Sequence, residues 1–417
     1  MFAALALASC ACDSDSDNES GGPSTGGAGG TGGTTAGGND TGGSNTGGTK
    51  ASAGGDGAGA ATTGGAPAGG ASAGGNVGGA GGGTGGGGPA GTPHVFVGST
   101  DGFVRVFTMS ESDGALTAAG ALDTGDGLDF IAVGPDDRTV FVSYNQRVAA
   151  FAYDPDAKTL TPVDDATTFG AGTHVAVDPT GRFVFVAHYN QGALSFLSYS
   201  AQEGFGTAQR FTPGANAHQV KLDAAGTRVF VPCLGDDIVA QYVLDPEGGT
   251  LTAATPATTP AGNGPRHMDF HPSAPVAYVL NELASTVQVL DVGANGLLTL
   301  RPDDVVFLSV DQRGHQSSDI HVTPDGAFVY AVNRQPSEIV TLRVEDEHTL
   351  TRLGAAGLSG VVRSFGVDPS GKLLQVGGSD GRLVAFRIDP ATGALTESSV
   401  QTGLGNVHAT VIRYLEP

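Results

Sequence analysis

Cysteine and positive charge are scarce in this chain. Three cysteines occur in 417 residues, and Cys10 and Cys12 fall within the first dozen positions, leaving Cys233 alone in the remainder. No disulfide framework and no cysteine-based metal site can be built from that. Lysine and arginine together number 20 against 42 aspartates and glutamates, a formal net charge of -22. Neutralising phosphates needs clustered basic side chains, so this composition argues against nucleic acid as a partner, and the charge serves solubility. A sustained 3.6-residue apolar period is missing as well, which argues against helices. Glycine is abundant, yet no Gly-Lys-Ser/Thr follows a glycine run at a strand-to-helix junction, so the runs are not phosphate loops.

What remains divides the chain unevenly. Residues 1–12, within "MFAALALASCACDSD", are apolar but shorter than the ~20 residues that span a bilayer, and they resemble the end of a secretory segment. Leu7–Cys10, "LASC", matches a bacterial lipobox, although no Lys or Arg precedes it; acylation at Cys10, an anchor in a membrane and an extracytoplasmic location are the expectations. If the match is spurious, the protein is cytoplasmic. Residues 13–92 are rich in Gly, Ala, Thr and Ser and carry too little apolar surface to offset ordering entropy, so a disordered tether is expected. As a glycine-rich coil it would reach roughly 50 Å end to end. Only 93–417 has globular patterning.

That last segment repeats. "IAVGPDDRTVFVSY" from Ile131, "VAVDPTGRFVFVAHY" from Val175 and "VKLDAAGTRVFVPC" from Val220 are followed by "MDFHPSAPVAYVLN" from Met268, "IHVTPDGAFVYAVN" from Ile320 and "FGVDPSGKLLQVGG" from Phe365. The turns at Pro135, Pro179, Ala224, Pro272, Pro324 and Pro369 lie 44 to 52 residues apart, the period of a four-stranded propeller blade. A second turn, as in "DPDAKTLTP" from Asp154 and "DPATGALTE" from Asp389, leads into a further strand of each unit. Period-2 alternation bounded by Asp, Pro and Gly turns predicts strands throughout. Counting second strands gives seven, and the first of them, "HVFVGS", has no partner before it; "NVHATVIRYL" at 406–415 is the expected partner. The fold class is therefore all-β: one seven-bladed propeller of antiparallel blades over 93–417, closed by the C-terminal strand, which removes an exposed sheet edge.

The innermost strand of each blade begins with a polar residue: Asp129, Thr173, His218, Arg266, Ser318 and Arg363. These positions should ring one mouth of the central channel. The second strand runs antiparallel and returns to that mouth, bringing Asn145, Tyr189, Asn190, Asn281, Glu282, Asn333 and Arg334. His218, Arg266, Glu282, Arg334 and Arg363 would then form a cationic site with one carboxylate in an otherwise acidic protein, suited to a small anion. A solvated polar rim with a simple Arg266–Glu282 hairpin pair is the bland alternative.

Residues 217–252, 264–290 with "GPRHMDF" and "LNEL", 317–334 ending "AVNR", and 362–396 resemble the lactonase family of seven-bladed propellers, which includes bacterial 6-phosphogluconolactonase and fungal carboxymuconate lactonising enzyme. The likeness covers most of 94–417. It implies a catalytic constellation of His218, Arg266, Glu282 and Arg334; Arg363, Asn281 and Asn333, brought to the mouth by the strand pattern, are the expected substrate-binding residues. It also implies hydrolysis of a small anionic lactone of a sugar acid, with no metal or organic cofactor, by a monomer. Either Glu282 or His218 would activate water; two neighbouring arginines make Glu282 a weak base, and the choice stays open. "VGGSDG" at 376–381 departs from the asparagine-rich ending usual in the family. A non-catalytic cell-surface binding propeller is the alternative function.

Other suggestive motifs have plainer readings. "GGSDG" around Ser379 fits a nucleophile elbow but joins two strands, so hairpin chemistry is expected. His267 and His271 have helical metal-pair spacing, yet on a strand four residues span ~13 Å. His271 reads as a turn residue, His174 and His321 as polar channel lining, and Cys233 as a small buried apolar residue.

Overall fold

The computed structural model describes residues 89–309 and 316–416. The expected export segment with Cys10, and the expected tether up to residue 88, lie outside them.

The aspartates of the recurrent turns show why these segments fold back on themselves. Asp178 accepts the amides of Thr180 and Phe183 (3.0 and 2.7 Å), and Asp223 those of Thr227 and Arg228 (2.7 and 2.8 Å). Further out, Asp154 and Asp389 each cap two amides of their own turns at 2.9 Å. Short Asx turns of this kind mimic a backbone turn and start hairpins.

Between such turns the apolar residues alternate, and among the described residues the strands form seven antiparallel sheets. Blade two is Phe130–Val133, Thr139–Tyr144, Arg147–Asp154 and Thr159–Thr167 from the centre outward. Blade three begins His174–Val177, Phe183–His188 and Ala193–Ser200. Its outermost strand is broken into Gly204–Phe205 and Gln209–Phe211, a departure from the four continuous strands expected. The break follows Gly204 (φ +74°) and the bond from the Phe205 amide to Asp164 of blade two, 2.7 Å. Blade four runs Lys221–Leu222, Arg228–Cys233, Ile238–Asp245 and Thr250–Thr258. Blade five runs Pro265–Phe270, Val276–Asn281, Thr286–Val292 and Leu298–Phe307. Blade six runs Ser317–Val322, Phe328–Arg334, Ser337–Asp346 and Thr349–Gly357. Blade seven runs Val362–Val367, Leu373–Gly378, Leu383–Ile388 and Leu395–Gln401.

Blade one is closed from both ends of the repeat. The C-terminal strand Val407–Leu415 pairs antiparallel with Thr92–Ser99, inside Phe103–Met109 and Leu116–Asp123. It packs against the inner strands of blades seven and two, and Arg413 reaches Asp137 of blade two at 3.5 Å. The expectation of closure by the C-terminus is borne out, and Thr92–Ser99, otherwise the inner edge of its sheet, is paired on both sides.

The core lies between blades. Ile131, Val175, Met268, Ile320 and Phe365, within five inner strands, and Val220, just before a sixth, are essentially inaccessible to solvent. Burying side chains of this size stabilises by roughly 1.5–3 kcal/mol each, which makes the ring of blades a firm frame for the polar mouth.

Candidate active site

At the mouth the inner strands leave strict alternation. Arg266 lies between Pro265, opposite Asn281, and His267, opposite Leu280, so it is the extra residue of a β-bulge. The same shift occurs at Arg363, between Val362 and Ser364, and at His408, between Val407 and Ala409. Bulges bend a strand and re-aim one side chain, which is how these long residues turn from the sheet toward the mouth. Gly264 leads into the first of them with φ +63°, and a Cβ there would lie 2.7 Å from Leu283. This accounts for glycine in "GPRH". Its carbonyl accepts the Glu282 amide at 2.7 Å, which joins the start of the inner strand to the end of the second.

Glu282 stands between two arginines. Arg266 Nε approaches one carboxylate oxygen at 2.9 Å, a close ionic contact rather than an aligned hydrogen bond, and Arg334 Nη2 donates to the other. Arg334 Nε also donates to the Gln316 carbonyl at 2.7 Å, while Arg266 Nη1 donates to the Ser318 carbonyl. Neither Arg266 Nη2 nor Arg334 Nη1 makes a hydrogen bond among the described residues. Two guanidinium corners are thus available to an outside anion. Burial lowers the Arg266 pKa to about 10, the Glu282 carboxylate opposes the fall, and Arg334 and Arg363 add to it. Arg363 Nε is buried with no partner among the described residues. This side of the mouth therefore holds more positive charge than Glu282 balances.

His218 sits beside this cluster on the approach to the inner strand of blade four. Its ring meets Tyr189 at 5.6 Å and His267 at 5.1 Å, both edge to face. Burial, then Arg266, His267 and Arg334, hold its pKa well below the ordinary histidine value, so the imidazole is neutral at pH 7. Its Nδ1 is buried with no partner among the described residues, a cost that a bound ligand or water would relieve. A cleft of about 460 Å³ opens next to Tyr189, between Tyr189–Gly192 and residues 212–216.

The structure thus brings Arg266, Glu282 and Arg334 into direct contact and places His218 and Arg363 within their field. Asn281 and Asn333 are turned into the sheets instead. Asn281 donates to Thr286 at 3.0 Å; Asn333 donates to Glu338 at 2.9 Å and accepts from Ser317 at 2.7 Å. Both have no exposed surface, so their visible work is to fix the hairpins that carry Glu282 and Arg334. His271 accepts the Ser273 and Ala274 amides at 3.2 and 2.9 Å and is a turn residue. Ser379 Oγ accepts the Val361 amide at 2.9 Å between two strands. Cys233 is fully buried, with its thiol pushed up to about 12 by burial.

His408 and the contacts that the polar channel residues make between blades escaped sequence reasoning. His408 occupies the mouth position of blade one, with its pKa lowered to about 4 by burial and by Arg363 and Arg266. Aligning 406–415 with the other inner strands would have found it. The residue after the mouth position is also polar in blades three to six: His174, Gln219, His267 and Asp319. Each reaches the next blade: Gln219 accepts the Met268 amide at 2.7 Å, Asp319 accepts the Phe365 amide at 3.0 Å, and His267 Nδ1 lies 2.7 Å from Asp319. Below them Lys221 and Asp269 pair at 2.7 Å, and His321 lies 3.4 Å from Asp319 and 3.8 Å from Asp269. Among the described residues no cluster of side chains has the makings of a metal site.

A closed ring of seven four-stranded blades with arginines and a histidine at one mouth defines a class of propeller, and its members can be compared directly. The chain matches the family described as "Lactonase, 7-bladed beta-propeller" over residues 94–410, and it belongs to that family. It is 34% identical over 309 residues to the 6-phosphogluconolactonase of Klebsiella pneumoniae (strain 342), covering 70% of this chain and 90% of that one. It is 32% identical over 299 residues to the 6-phosphogluconolactonase of Enterobacter sp. (strain 638), covering 69% and 88%. Its fold is similar to the periplasmic gluconolactonase of Pseudomonas aeruginosa, with a TM-score of 0.72 at 23% identity over 78% of this chain and all of that one.

Proposed function

We propose that the protein hydrolyses the ring ester of a sugar-acid lactone at the arginine-lined mouth. The observation that carries this reading is the grouping of Arg266, Glu282 and Arg334, each arginine keeping one NH₂ corner unbonded among the described residues, beside a neutral His218 whose Nδ1 has no partner among them. Relatives named 6-phosphogluconolactonase support the substrate class.

With both Glu282 oxygens held by guanidinium groups, its role is to space and orient the arginines, and His218 becomes the base. Water bound at His218 attacks the lactone carbonyl and gives its proton to the imidazole. The oxyanion forms against Arg266 Nη2 and Arg334 Nη1, charge-assisted donors whose loss typically costs ~2.7–4 kcal/mol. Collapse expels the ring oxygen, the imidazolium returns the proton to it, and the open-chain hydroxy acid leaves. Arg363 would attract the anionic or hydroxylated arm. Export, if residues 7–10 act as a lipobox, would favour an unphosphorylated lactone over its phosphorylated counterpart.

The test is turnover of both lactones by the full chain. Hydrolysis above the spontaneous rate that disappears in Arg266→Ala supports the reading; lactone binding without turnover would assign a recognition propeller instead.

A further inference from the structure

We propose that His267 and Asp319 form a positioning pair for Arg266, holding its guanidinium so that Nη2 alone is left to face a ligand. The inference rests on the reading of Arg266 as the anion-holding group of the mouth.

Asp319 is buried in the inner strand of blade six. Its Oδ1 accepts the Ile320 amide at 3.0 Å and lies 2.7 Å from His267 Nδ1, and its Oδ2 accepts the Phe365 amide of blade seven at 3.0 Å. A carboxylate can only accept, so the proton of that contact belongs to His267 Nδ1. The tautomer follows: Nε2 carries a lone pair. It faces Arg266 Nη1 at 3.3 Å, and a guanidinium can only donate. Nη1 is therefore held by His267 on one side and the Ser318 carbonyl on the other, while Nε lies against Glu282. Three contacts at two of its three nitrogens leave the fork no freedom to rotate, and the unanchored Nη2 has one direction in which to point.

Asp319 is itself locked. His321 lies 3.4 Å from it and bridges toward Asp269, which Lys221 holds at 2.7 Å. Besides Asp319 and Arg266, the groups acting on His267 among the described residues include the rings of His174 at 5.8 Å and His218 at 5.1 Å, and His321 across Asp319. Burial, then Arg266, lower the His267 pKa to about 4, so Nε2 stays unprotonated at neutral pH. The chain Asp319–His267–Arg266 thus joins the channel interior to the mouth.

Asp319→Asn discriminates, because an amide turned toward His267 either reverses the tautomer or sets an NH₂ against the Phe365 amide. His267→Phe keeps the ring and removes the acceptor; His267→Gln keeps an acceptor near the place of Nε2. ¹⁵N spectra of the full chain should show His267 protonated at Nδ1, and separate, slowly exchanging Arg266 Nη signals. Those signals should merge in His267→Phe and Asp319→Asn and persist in His267→Gln. Lactone kcat per folded molecule should fall about 100-fold in the first two variants, the cost of a misplaced catalytic group, and recover in the third. A wild-type His267 protonated at Nε2, or Arg266 signals unchanged in His267→Phe, overturns the proposal even if Asp319→Asn does not fold. Wild-type protein that shows the expected spectra but turns over no lactone would end the lactonase reading and leave the positioning pair standing.

Discussion

From blade five round to blade one the inner strands open with Arg266, Ser318, Arg363 and His408, whereas blades two and three across the ring offer Asp129 and Thr173. All occupy the same place relative to the second strand, so the backbone treats them alike. Their electrostatics do not match. On the first side burial, then Arg363 and Arg266, hold His408 down at about 4, and Arg334 and Arg363 help depress Arg266 itself. On the other side Asp129 is raised to about 7 by burial, with no cation close enough to oppose it. The ring supplies seven equivalent positions, and the sequence has loaded one sector for anions. The fold is a mounting; the function lies in which positions carry which groups.

The most drastic way to break the comparison is to remove a mouth position with its strand. Deleting residues 404–417 takes away His408 and the inner strand of blade one, and should abolish the monomeric fold, read as loss of the cooperative thermal transition. A stable, monomeric truncation would contradict ring closure. Arg266→Ala should lower kcat by about 10²–10³-fold, as loss of an oxyanion donor does, while Asp129→Asn should change it less than about twofold. Equal effects would erase the distinction between sectors. Lys221→Met strands a buried carboxylate and should cost about 3–5 kcal/mol in unfolding free energy, read from the denaturation midpoint.

The smallest effects are those of pH. Burial alone would lower the His321 pKa, but Asp319 and Asp269 raise it above the ordinary value. Its contribution to stability is therefore complete below the ordinary histidine pKa and is lost as pH rises through the raised one. Asp319, held well below the usual carboxylate range by His321 and His267 against the opposing effect of burial, contributes above its ordinary pKa and loses that as pH falls through the lowered one. The thermal midpoint should thus fall on both the acid and the alkaline side. The acid limb of kcat/KM should lie below the ordinary histidine range, because the His218 pKa is lowered.

The blades were legible because their information is local. Turn aspartates and alternation act within one hairpin, and the same logic brought Arg266 to Glu282, sixteen positions away in the chain. Closure was legible because one second strand had no partner. The channel network was not: His267 meets Asp319, and Lys221 meets Asp269, across neighbouring blades about fifty positions apart, where no hairpin register applies. The bulges were missed too, since counting alternate residues assumes an unbroken pleat. They explain why Arg266 and Arg363 leave the sheet while Asn281 and Asn333, expected at the mouth from the strand pattern, are held within it.

The most direct measurement is the initial rate of glucono-δ-lactone hydrolysis by the full chain beside its Arg266→Ala and His218→Asn variants. The wild-type rate should exceed spontaneous hydrolysis, and each variant should lose nearly all of the excess. A wild-type rate equal to the spontaneous one, or an excess that survives in either variant, would contradict the assignment of chemistry to this mouth.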